Sequence, residues 1–143
     1  MIGTIDYTVP NRIPVPVGDS TGAKAIAEWM MAEVQYDAAY IDELMTMFIE
    51  ISNGARKEGY LGTGNAYSLC ATRKLVLLEC EYVDSHRACL TMEQVSAALE
   101  QYRMFLKSDY GSPGFRPSPF SVEYLAEGEA ARDHFVENGG VLA

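Results

Sequence analysis

The chain has 143 residues, which fits one domain and suffices for a hydrophobic core without metal or disulfide staples. Hydrophobic residues make up 48% and charged residues 22%, which excludes wholesale disorder, and no apolar run reaches the ~18–20 residues of a membrane span. The 11 basic and 20 acidic residues leave a net charge of −9, which disfavours direct binding to nucleic acid or an anionic membrane and favours a basic partner.

Residues 4–9 alternate as a strand, with Ile5, Tyr7 and Val9 on one face and Thr4, Asp6 and Thr8 on the other. Pro10-Asn11 predicts a turn. Residues 12–17 continue as an edge strand, because Pro14 and Pro16 cannot donate ladder hydrogen bonds. Asp19 or Ser20 then caps a helix whose apolar face carries Ile26, Met30, Val34, Ile41, Leu44, Phe48 and Ile51. Asn53-Gly54 is its stop signal. One straight helix would be about 45 Å long. Asp37 interrupts its apolar stripe, marking either a break or an acid with a specific partner.

Residues 55–65 read as a glycine-rich loop, followed by strands over 66–72 and 74–83 joined near Arg73-Lys74. In the second strand Val76, Leu78, Cys80 and Tyr82 share one face, while Leu75, Leu77, Glu79 and Glu81 share the other. The second face turns acidic, which predicts an antiparallel sheet covered on one side. Residues 87–90 add a short strand. Thr91 and Gln94 have capping-box spacing at the head of a helix that runs to Lys107. Residues 108–119 contain three prolines and two glycines and read as a connector. Residues 126–138 form a short terminal helix stopped by Gly139-Gly140.

The expected fold is therefore α+β. A small, mainly antiparallel sheet packs against a long N-terminal helix or helix pair and a second helix. Residues 1–107 form the domain, and residues 108–143 are a C-terminal connector and short helix docked on it.

Catalytic signals are weak. Gly62-Thr63-Gly64-Asn65 has the composition of a phosphate-cradling loop, but it follows a helix and precedes a strand, the reverse of the order that aims a helix N-terminus at an anion. Cys70, Cys80, His86 and Cys89 lack the short spacing of a zinc knuckle. Cys89 with His86 as a thiol nucleophile, or Glu79 with Glu81 as an acid–base pair, has ordinary structural explanations in packing and solvation. No catalytic residue, metal or cofactor is expected, and the chain is read as a non-enzyme. Three cysteines scattered through apolar segments, and an N-terminus unlike a signal peptide, point to the cytoplasm. Trp29, Tyr36, Tyr40 and Met47 flank the long apolar stripe as core margin or interface anchors. The arm around Phe115 and Phe120 wraps either a partner or its own domain.

From Asp6 to Lys107 the chain resembles the bacterial YacL-like family. The matching positions are Asp6-Tyr7, Trp29, Glu33-Val34, Asp42-Glu43, Gly64, Tyr67, Leu69, Tyr102-Arg103 and Phe105. That resemblance implies a compact α+β domain and carries over no catalytic residue. In kind, as a small, acidic chain without catalytic motifs, the sequence is also similar to immunity proteins of bacterial contact-dependent growth inhibition systems. This second resemblance implies a partner, the cognate toxin domain, commonly a basic nuclease blocked by stoichiometric binding. Two acidic patches are candidate contacts: Glu79, Glu81 and Asp84 with Tyr82, and the helix face Asp42, Glu43 and Glu50. The alternative is a YacL-like housekeeping domain that pairs with itself as a homodimer.

Overall fold

The computed structural model describes residues 1–8 and 11–143; Val9 and Pro10, where the predicted first strand ends and its turn begins, lie outside the described residues. The architecture is α+β, with two antiparallel sheets and helices between and outside them. Strand β1 (Ile2–Tyr7) is central in a three-stranded sheet, between the proline-bearing β2 (Pro14–Val17) and β7 (Phe120–Glu123). Pro14 and Pro16 do lie on an edge strand. Ile5 and Tyr7 of β1 are buried, as the alternation predicts.

The second sheet has five strands in the order β3 (Gly59–Thr63), β4 (Tyr67–Ala71), β5 (Leu75–Cys80), β6 (Arg87–Thr91) and β8 (Ala126–Glu127). Part of the glycine-rich segment expected to be loop is thus the edge strand β3. Backbone pairing with β4 builds it despite poor strand composition, and a bulge between Tyr60 and Gly62 absorbs the irregularity. Strand β5 ends at Cys80, short of the expected boundary, because the chain turns away through residues 81–86 to reach β6.

Helix α1 (Thr21–Trp29) is capped by Ser20, whose side chain accepts from the Ala23 amide. It packs against β1 and β2 on one side and β5 and β6 on the other. Gly22, Ala23, Ala25 and Ala27 are buried, so small residues let α1 fit between the sheets. A Cβ at Gly22 would stand 2.4 Å from a ring carbon of Tyr124.

The long N-terminal helix is two helices. After α1 the backbone passes through a π-helical turn, Met30–Val34, and then breaks. Gln35 takes φ 59° and ψ −134°, a conformation rare for a residue with a side chain. Helix α2 (Ala38–Ser52) restarts with Asp37 as its N-cap, accepting from the Tyr40 amide at 3.1 Å. All seven residues of the predicted apolar stripe are buried, on both sides of the break. Helix α3 (Met92–Leu106) begins with the expected capping box of Thr91 and Gln94.

The face of β5 that was expected to be open is covered. Val76 and Leu78 face the main core, while Leu75 and Leu77 form a second buried cluster with Cys70, Cys89, Ala131 and Phe135. Ala131 and Phe135 belong to α4 (Gly128–Glu137), which lies across this face. Residues beyond Lys107 therefore contribute two strands and a covering helix. Phe120 is buried against the domain's own core, and Phe115 packs beside it. Among the described residues no helix is long and apolar enough to cross a membrane.

Candidate functional site

The two predicted acidic patches separate into acids that have an internal cation and acids that do not. Glu79 lies opposite Arg87 in the β5–β6 register. Arg87 Nε donates to Glu79 at 3.0 Å, Arg87 also pairs with Glu129 at 2.9 Å, and Arg132 approaches Glu79 at 3.8 Å. Glu79 is largely buried under α4 and is part of the structure's own ion-pair network. Asp42 pairs with Arg103 of α3 at 2.8 Å, and Glu50 pairs with Arg56 at 3.6 Å. Of the seven predicted contact residues, Glu43, Glu81 and Asp84 are exposed acids with no ion-pair partner among the described residues, and Tyr82 is 78% exposed.

The turn carrying Glu81, Tyr82 and Asp84 is held at several points. The Glu81 amide donates to the Ala66 carbonyl at 2.7 Å, and the Cys80 amide donates to His86 at 3.0 Å. His86 Nδ1 lies 3.0 Å from Glu28 of α1, and Glu28 also accepts from the Tyr67 hydroxyl at 2.7 Å. Burial, and then the bond to Glu28, push the Tyr67 hydroxyl well above the usual tyrosine pKa. These ties fix the turn while leaving the Tyr82 ring in solvent, an arrangement that lowers the entropy cost of binding through it.

The tip of the β3–β4 hairpin links this turn to α2. Tyr82 OH lies 3.5 Å from the Asn65 carbonyl. The amides of Asn65 and Ala66 donate to the Glu33 carboxylate at 3.0 and 2.8 Å, and Asn65 Nδ2 donates to the Ala32 carbonyl. The Gly62–Asn65 segment therefore does sit beside an anion held by backbone amides, but that anion is Glu33 of the same chain. Glu33 is among the positions shared with the YacL-like pattern but not among the predicted contact residues. A glycine at position 64, beside amides with no following helix to cap, was its only local signal.

Beside the hairpin tip lies a cleft of about 400 Å³, lined among others by Trp29, Glu33, Tyr40, Glu43, Tyr67 and Gly64. Trp29 is a buried ring of the core and Tyr40 is partly exposed; Tyr36, in contrast, stacks on Tyr110 away from this lining. Burial, and then the charges of Glu33 and Glu43, push the Tyr40 hydroxyl above the ordinary pKa.

The cysteines divide between the two clusters, with Cys80 packed against the main core and the other two in the second cluster. Cys70 and Cys89 are buried in the cluster beneath α4, and burial pushes the Cys89 thiol up to about 12. Among the described residues no group of three or more His, Cys, Asp or Glu is placed to hold a metal ion. No family model, curated protein or solved structure matches the chain.

Proposed function

We propose that the chain is a bacterial immunity protein, acting in the cytoplasm, that binds a basic toxin domain and blocks the cleft in which that domain holds its substrate. The observation that carries this reading is the sorting of the acids. Asp42, Glu50 and Glu79 are neutralised internally, whereas Glu81 and Asp84 project unpaired beside the solvent-exposed Tyr82. Unpaired carboxylates around an exposed aromatic ring suit a basic surface: charge steers the encounter and the ring supplies an anchor. The net charge of −9 extends the same attraction to longer range at low salt. The mechanism is occlusion by stoichiometric binding, without catalysis, metal or cofactor.

The test is co-expression of the tagged protein with the protein encoded beside it. A stable complex, with rescue of cells poisoned by the neighbour's C-terminal domain, is the expected result. Glu81→Lys with Asp84→Lys should slow association about tenfold at low ionic strength, while Glu50→Ala should leave it unchanged. A homodimer or monomer with no captured neighbour and no toxicity to rescue would replace this reading with the YacL-like housekeeping domain.

A further inference from the structure

The cleft between α2 and the β3–β4 hairpin combines an apolar, aromatic lining with acidic residues. Trp29, Tyr40, Tyr67 and Leu44 line it, and so do Glu33 and Glu43. Arg56, a cation on the same lining, is paired with Glu50 at 3.6 Å. Glu33 is held in place by the two hairpin amides, so its charge is positioned before any ligand arrives. Glu43 is exposed and has no ion-pair partner among the described residues. Trp29, on the same lining, is only 3% exposed.

We propose that this cleft receives a lysine or arginine side chain of the basic partner, its alkyl stem against Leu44 and the rings and its cationic head beside Tyr40, Glu33 and Glu43. Aromatic faces attract an organic cation through their quadrupoles, and the carboxylates add direct charge complementarity. A long basic side chain is amphipathic in the same sense as the cleft, with an apolar stem and a charged tip. A protein source for the cation follows from continuity: Glu33 joins the cleft to the Asn65 loop, and Tyr82 of the proposed contact surface rests against that loop. The inference deepens the proposed function and rests on it for the identity of the partner.

Trp29 is the chain's single tryptophan, so its emission reports on the cleft directly. The experiment titrates the isolated protein with Nα-acetyl-lysine amide and Nα-acetyl-arginine amide, using the Nε-acetylated lysine derivative as the neutral control. A saturable change in Trp29 emission is expected with the cations and not with the control, weakened about tenfold by Glu43→Gln. The same variant should weaken binding of the captured neighbour. No response, or an equal response to the neutral control, overturns the inference while leaving any complex with the neighbour standing. Spermidine binding far more tightly than either amide would assign the cleft to a free polyamine and overturn the partner assignment. A normal cation response with no neighbour captured would sink the proposed function and leave the cleft's cation chemistry intact.

Discussion

Glu33 fills the space that the missing side chain of Gly64 leaves open: a Cβ on Gly64 would stand 1.5 Å from Glu33 Oε2. The two residues form one device, a carboxylate from the π-helical turn gripped by a hairpin tip. Gly64→Ala must expel the carboxylate and forfeit its bonds to the Asn65 and Ala66 amides. A loss of about 1–2 kcal/mol is expected, since the bonds are charge-assisted but partly exposed. Urea unfolding of Gly64→Ala, Glu33→Ala and the double variant checks it. The double variant should be little worse than either single change, because both remove the same contact.

Gln35 is strained. Its φ of 59° is held by Tyr102, whose hydroxyl donates to the Gln35 carbonyl, and by the Gln35 amide donating to Met30 at 2.7 Å. Both bonds use main-chain atoms of residue 35 and survive substitution. Gln35→Gly should raise stability by about 1 kcal/mol, the relieved strain exceeding the entropy glycine adds to the unfolded chain. A higher urea midpoint with an unchanged slope is the expected signature.

Arg87 is 8% exposed and bridges Glu79 to Glu129. Arg87→Met leaves the Glu79 carboxylate largely buried, with only Arg132 approaching at 3.8 Å, and should cost about 3 kcal/mol. Adding Glu79→Met should restore most of that loss, because the isolated charge is then gone. If the double variant is as unstable as Arg87→Met alone, unbalanced charge is not the cause.

Glu127 carries a pH-dependent part of the C-terminal docking. Burial alone would raise its carboxyl pKa, but hydrogen bonds from Tyr124, Ser20, the Gly22 amide and Thr21 outweigh it and hold the pKa below the ordinary 4.5. A carboxyl depressed in the folded state stabilises fully above its unfolded pKa and loses that contribution as pH falls through the folded value. Stability should therefore decline as pH drops below about 4.5. Glu127→Gln should flatten that decline in thermal melts taken across the range.

The Cys89 thiol, pushed up to about 12 by burial, carries almost no thiolate at neutral pH. It should resist a thiol reagent in the native protein and label promptly in denaturant. Rapid native labelling at Cys89, located by peptide mapping, would show that α4 lifts off the sheet.

The sequence by itself determined the features governed by near neighbours. Ser20, Asp37 and Thr91 cap helices because a short oxygen-bearing side chain there reaches an amide within the same turn. The seven-residue stripe is buried because helical periodicity survives a break when the restart keeps its phase. The tertiary structure decided what lay between distant segments. Glu79 and Glu81 look alike in sequence, yet register sets Arg87 opposite Glu79 and α4 covers it, while Glu81 falls beyond the strand in an exposed turn. Asp42 and Glu43 are adjacent on α2, yet Arg103 of α3 reaches only Asp42 and Glu43 is left to border the cleft. The Gly64 loop held an anion after all, one supplied from the π-helical turn 31 positions away. Which charges are spent inside a fold depends on strand register and helix packing, and those are fixed by contacts between segments far apart in the chain.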